Sequence, residues 1–129
     1  MATKTDIAYH YDVDNDFFAL FLDESFRAYS CGVWKAAQNL EQAQRDKLER
    51  LCKYAHVQPG HHVIDVGCGW GGLMQYIVAN YPDAQVQGLT LSTEQFEYVN
   101  RYSDPRLKVA LTAWQEFLPT DTKFDSIIS

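Results

Sequence analysis

Basic residues are scarce in this sequence. Lysine and arginine total 11 against 17 aspartates and glutamates, a formal net charge of −6, and the pI is near 5.0. With no basic stripe, the chain has no long-range electrostatic hold on a phosphate backbone. Nucleic acid is excluded as an expected partner and an anionic membrane surface is disfavoured, although a local apolar surface leaves peripheral contact with lipid open. Long apolar runs are missing too. No segment approaches the ~18 residues that would mark a transmembrane span, and the opening MATKTDIAYHYD lacks the apolar stretch of a secretory signal. Cysteine is sparse and odd in number: Cys31, Cys52 and Cys68 match no close metal-ligand spacing. A reduced, cytoplasmic chain is the expectation. No internal repeat or low-complexity tract is present.

What is there reads as one ordinary globular domain of 129 residues, 47% hydrophobic and 22% charged. Aromatic residues make up 14% and crowd into the first third, which asks for more than a core to explain it. Residues 14–23 form a candidate helix capped by Asp14, Asn15 or Asp16, with Phe17, Phe18, Leu20, Phe21 and Leu22 as a wide apolar face. A second helix is expected from Asn39, with Gln42 in the capping-box position and Leu40, Ala43, Lys47 (by its stem), Leu48, Leu51 and Ala55 recurring at helical spacing. Gln58, Pro59 and Gly60 end it in a turn.

Beyond that turn the grammar changes. The run from His62 to Val66 predicts a strand, and a glycine-rich loop leads into a helix over residues 73–80. A second strand is expected over 84–91, a helix over 93–102, a third strand over 107–111 and a fourth over 124–128. Strands alternating with helices imply a parallel sheet with right-handed crossovers. A sheet that stops after its fourth strand looks unfinished.

The loop Asp65-Val66-Gly67-Cys68-Gly69-Trp70-Gly71-Gly72 sits at the first strand-to-helix junction. Glycines there permit a sharp turn and close approach of a ligand to the backbone; a tight turn with no ligand is the bland alternative. The G-x-G-x-G spacing differs from that of dinucleotide enzymes, and no G-K-[ST] follows for a triphosphate. The acid Asp65, two residues before the first glycine, suits a ligand bearing an amine or hydroxyls, such as S-adenosylmethionine. The second strand ends without a carboxylate, so Thr90 and Gln95 are the candidates to bond the ligand. Thr90 reads equally as a turn residue, and Trp114 taken alone reads as a core aromatic.

Together these segments resemble the N-terminal part of the cyclopropane-fatty-acid synthase family, which includes the mycolic acid cyclopropane synthases. The resemblance rests on His10-Tyr11-Asp12, Asn15-Asp16-Phe17-Phe18, Leu20-Phe21-Leu22-Asp23 and Tyr29-Ser30-Cys31. It continues through Leu40-Glu41-Gln42-Ala43-Gln44, Val57-Gln58-Pro59-Gly60, the glycine loop, and Gly88-Leu89-Thr90-Leu91-Ser92 with Gln95. It ends at Trp114-Gln115-Glu116-Phe117 and Phe124-Asp125-Ser126-Ile127-Ile128-Ser129. Small-molecule N- and C-methyltransferases share much of the pattern. The resemblance implies a Rossmann-like α/β S-adenosylmethionine-dependent methyltransferase fold, seen as the first half of its parallel sheet with an N-terminal helical extension. Residues 1–56 would be a helical segment on the lid or substrate side, and residues 57–129 a truncated cofactor-binding half-domain.

It also implies roles. Tyr29 and Ser30 would lie against the methionine end of S-adenosylmethionine, with Gly67, Gly69 and Gly71 passing beneath it and Asp65 fixing the loop. Thr90, Leu91 and Gln95 would meet ribose and adenine, bordered by Trp114 and Gln115. The family's reaction moves the sulfonium methyl to a cis double bond of an acyl chain, with bound bicarbonate as the base; Cys31 matches a position that contributes to the bicarbonate site. The aromatic segment would be a lid or tunnel wall, or merely a cover for the sheet. The family's other bicarbonate contacts follow the fourth strand, so the expectation is a fragment not competent alone. Alternatives are a small-molecule N- or C-methyltransferase and a non-catalytic cofactor-binding or interaction module; the acceptor and the oligomeric state stay open.

Overall fold

A computed structural model describes residues 15–117 and 123–129. Four parallel strands, β1 (His62–Val66), β2 (Gln85–Thr90), β3 (Leu107–Leu111) and β4 (Ser126–Ile128), form one sheet in the order β3-β2-β1-β4. The register pairs Asp65 with Gly88 on one side and with Ile128 on the other. The helices are α1 (Asn15–Ala19), α2 (Leu40–Tyr54), α3 (Gly72–Asn80) and α4 (Thr93–Val99). The chain runs outward from β1 to β3, then crosses back to β4. Strand order therefore reverses between β1 and β4, which opens a crevice at the carboxyl ends of those strands.

The core lies on one face of the sheet, where Val63, Val86 and Ile128 meet Leu48 and Cys52 of α2 and Leu73, Met74 and Ile77 of α3. Residues on either side of position 57 thus share one core. Close packing of α3 onto β2 depends on Gly88, where a Cβ would sit 2.6 Å from the Met74 sulfur and 2.9 Å from Cys68 Sγ. Ile127, on the edge strand, is 70% exposed.

Strands β1 and β3 match their expected bounds, while β2, β4 and α4 are shorter than the pattern predicts. Helix α2 starts as expected: Gln42 N–H donates to Asn39 Oδ1 at 2.9 Å. The reciprocal bond is displaced by one residue, since Gln42 Oε1 accepts from Gln38 N–H and not from the cap's own amide. The largest departure is α1, which ends at Ala19 instead of extending to 23. There the chain must turn back over the glycine loop. The Asp23 carboxylate stabilises that turn by accepting from Phe26 N–H (2.6 Å) and Ala28 N–H (2.8 Å). Only Phe18 of α1 is buried; Phe17, Leu20 and Phe21 are exposed. The cap candidate Asp14 and the His10-Tyr11-Asp12 motif lie outside the described residues. Among the described residues no helix is long and apolar enough to cross a membrane.

Candidate functional site

A cavity of about 840 Å³ occupies the crevice at the sheet's carboxyl edge. Its floor is the loop after β1. Gly67 (φ +80°) and Gly69 (φ +56°) adopt left-handed backbone, and a Cβ on either would meet nothing within 4 Å. Bare backbone therefore faces open space in the cavity, a cradle that side chains would fill. The loop is pinned from behind, with Gly67 N–H and Cys68 N–H both donating to Leu89 O at 2.9 Å.

Asp65 is 5% exposed and lines the same cavity. Burial pushes its carboxyl up to about 7. No hydrogen bond reaches that carboxylate among the described residues, so Asp65 does not fix the loop as expected; the Leu89 carbonyl does. Next to it, Thr90 Oγ1 donates to Gln95 Oε1 at 2.8 Å and accepts from Ser92 N–H at 3.1 Å. Thr90 thus serves the turn and orients Gln95, whose amide N–H groups remain for the cavity. Ser92 caps α4 by accepting from Gln95 N–H. Leu91, Gln115 and Trp114 also line the cavity, and Trp114 is 58% exposed, at a rim and not in the core.

The opposite wall is the loop 23–31, and its construction is different. Gln44, buried on α2, donates from Nε2 to Ser30 O (2.9 Å) and Ala28 O (3.3 Å). Lys47 Nζ donates to Ser30 Oγ at 2.8 Å. Tyr29 packs against Phe18 and Phe21, with ring centroids 5.5 and 5.9 Å away. Trp70 joins the two walls: its Nε1–H donates to Asn15 Oδ1 at 2.8 Å, and its ring lies 4.7 Å from that of Phe18.

The structure thus brings Tyr29, Ser30, Asp65, Gly67, Gly69, Thr90, Leu91, Gln95, Trp114 and Gln115 to one cavity. It does not bring Gly71 or Cys31. Gly71 (φ +82°) is the left-handed N-cap of α3, and a Cβ there would strike the Tyr102 ring at 2.9 Å, so its role is packing. Cys31 is exposed. After Ser30 the chain turns onto α2, with Gly32 against Ala43 and Val33 N–H donating to Ala43 O. Cys68 and Cys52 are buried with their thiols pushed up by burial, Cys52 to about 11, as suits packing residues. Of Phe17, Phe18, Phe21, Leu22 and Phe26 in the front segment, only Phe26 lines the cavity; Phe18 covers Trp70.

Sequence reasoning missed Asp23, Gln44, Lys47 and Trp70. For Lys47 and Gln44 a signal existed: both fall on the apolar stripe of α2, where a polar side chain needs a partner.

A family model described as mycolic acid cyclopropane synthetase matches residues 1–129, the whole chain. The chain belongs to that family. It is 42% identical over 120 residues to the cyclopropane-fatty-acyl-phospholipid synthase of Escherichia coli, covering 93% of this chain and 30% of the relative. It is 41% identical over 125 residues to the S-adenosylmethionine-dependent methyltransferase UmaA of Mycobacterium tuberculosis, covering 92% and 42%. Among solved structures, the cyclopropane synthase MmaA2 of Mycobacterium tuberculosis superposes with a TM-score of 0.82 at 38% identity, covering 90% of this chain and 42% of its own. The mycolic acid cyclopropane synthase CmaA1 complexed with SAH and CTAB gives 0.82 at 36% identity, with the same coverage. The chain spans about a third of the length of the curated relatives it matches.

Proposed function

We propose that this chain forms the S-adenosylmethionine site of a methyltransferase acting on unsaturated fatty acyl chains. The observation that carries the reading is the pairing of bare left-handed backbone at Gly67 and Gly69 with the buried Asp65 carboxylate, which has no hydrogen-bond partner among the described residues, in one cavity. A carboxylate kept out of water needs a counter-charge or donors, and the cofactor's ammonium and ribose hydroxyls supply both. Gln95 offers amide donors fixed by Thr90, and Trp114 an aromatic face for the adenine. Tyr29, on the facing wall, presents a ring whose negative face attracts a cation. When bound, the cofactor supplies an electrophilic methyl group on sulfonium; the chain's own part is to hold, orient and shield it.

Family membership supports an acyl acceptor, as does the CmaA1 complex with CTAB, a ligand with a long alkyl tail. Residues 57–129 then supply the sheet wall of the cofactor site, and residues 1–56 supply its facing wall through Tyr29 and Ser30 as well as the acceptor side, which a peripheral contact with lipid through exposed Phe17, Leu20 and Phe21 would serve. Three free cysteines fit a reducing, cytoplasmic setting. Bicarbonate is implied only for the complete enzyme; Cys31, its one implied contact in this chain, is exposed and does not line the cavity, and no step is routed through it. The test is to join the chain to the remaining part of a relative such as the Escherichia coli synthase, of which it covers 30%, to supply labelled S-adenosylmethionine and phospholipid bearing cis-unsaturated chains, and to follow acyl mass. A gain of one methylene with label in the lipid is expected. Label appearing only in a methylated amine would move the assignment to a small-molecule methyltransferase.

A further inference from the structure

Among the described residues, two cationic side chains line the cavity, Arg27 and Lys47. The Arg27 guanidinium is engaged over the Tyr98 ring, 4.9 Å from its centroid. Lys47 is placed differently, with Nζ 2.8 Å from Ser30 Oγ. An ammonium can only donate, so the Ser30 oxygen accepts, and the hydroxyl's own proton is left for a third group. The described residues supply no acceptor for it. The Ser30 carbonyl is meanwhile tied to Gln44 Nε2 at 2.9 Å, which keeps the serine at the cavity wall.

We propose that Lys47 is a positioning residue for the carboxylate of the bound cofactor: by donating to Ser30 it makes that hydroxyl an obligate donor toward an anionic group in the cavity. The inference rests on the cofactor reading above and deepens it. The charges then match a zwitterionic amino-acid end, with the Asp65 carboxylate on the sheet wall for the ammonium, and Lys47 with Ser30 on the loop wall for the carboxylate. Partial burial lowers the Lys47 pKa, with Asp23 and Cys31 opposing that shift, so the ammonium is incompletely hydrated and polarises the hydroxyl strongly.

The test is calorimetric titration of the full chain and its variants with two ligands. S-adenosylhomocysteine carries the amino-acid end, whereas 5′-methylthioadenosine keeps the adenosine and lacks it. Lys47→Met should weaken S-adenosylhomocysteine about ten- to hundredfold, the range for a hydrogen bond to a charged group, and leave 5′-methylthioadenosine within about twofold. Ser30→Ala should show the same selective loss, and adding Lys47→Met to it should change little more. Lys47→Arg, which keeps a cationic donor, should recover part of the affinity. If Lys47→Met and Ser30→Ala weaken both ligands equally, or neither, the lysine only braces the loop and the proposal fails while the cofactor site stands. If the unmodified chain binds neither ligand, the cofactor reading falls and takes the proposal with it.

Discussion

The two walls of the cavity are built by different physics. On the sheet side, Gly67 and Gly69 are placed by strand β1 and by amides that bond the Leu89 carbonyl, so the wall is backbone held by backbone. On the loop side, residues 23–31 contain no helix or strand, and three polar side chains hold them: Asp23 from within, Gln44 and Lys47 from α2. A backbone wall tolerates many side chains but few backbone changes. A side-chain wall can be loosened one residue at a time. The apparatus that confers ligand specificity is therefore expected to fail locally on the loop side and globally on the sheet side.

The sharpest way to break this contrast is at Gly72, where the walls touch. A Cβ there would lie 2.3 Å from the Phe26 carbonyl oxygen, which is backbone and cannot swing aside. Gly72→Ala should cost about 3 kcal/mol or more, as overpacking in a tight core does, read from chemical denaturation. Gly69→Ala meets no neighbour and should cost only about 1–2 kcal/mol for its left-handed φ, yet abolish ligand binding by filling the cradle. Comparable stability losses from the two would mean that the loop yields easily and is not packed as a wall.

Asp65 gives the next effect, with the opposite sign. Its carboxyl titrates near 7 in the fold against an ordinary value of 3.8, and desolvation is the cause. Between those values the folded state keeps a proton that the unfolded chain has released. The folded state therefore loses stability as pH rises through that interval, and the loss is complete above about 7. Asp65→Asn should stabilise the ligand-free protein at pH 8 by about 2–4 kcal/mol, flatten the pH dependence of its melting between 4 and 7, and weaken S-adenosylmethionine binding. A variant that melts lower at pH 8 would show that the carboxylate is paired after all.

The same division explains what the sequence made legible. Sheet-side elements announce themselves because β-branched runs, glycines and caps are local signals: the His62–Val66 strand, the Asn39 cap and the cradle glycines all appear where their residue types require. Thr90 and Gln95 stand out for the same reason, by their position at a strand end. Gly71 shares the glycine spacing, but its φ serves a helix cap, and spacing cannot distinguish the two uses. On the loop side the signals are non-local. Lys47 reads as an apolar stem and Asp23 as the tail of a helix until the partners, 17 and 5 residues away respectively, are brought near. Cys31 follows Ser30 in sequence but leaves the cavity because Gly32 is drawn against Ala43.

Asp23 provides the smallest and most local test. Its carboxylate is 2% exposed and uses one oxygen for Phe26 N–H and the other for Ala28 N–H. Asn in its place keeps one acceptor and turns an NH₂ toward the second amide, so one charge-assisted bond is lost and one donor is left unpaired. About 2 kcal/mol follows from such a loss in a buried site. That energy falls on a segment with no sheet bonds of its own, so it should appear as local opening and not as a lower melting point. In hydrogen exchange of Asp23→Asn, the amides of Phe26 and Ala28 should lose protection about tenfold or more, while those of Val63 to Val66 keep theirs. Affinity for S-adenosylhomocysteine should fall with them, because Ser30 rides on the same loop and the anion that favours the charged form of Lys47 is gone. Uniform loss of protection across both walls would mean that the loop and sheet open as one unit, and the distinction between them would be one of construction only.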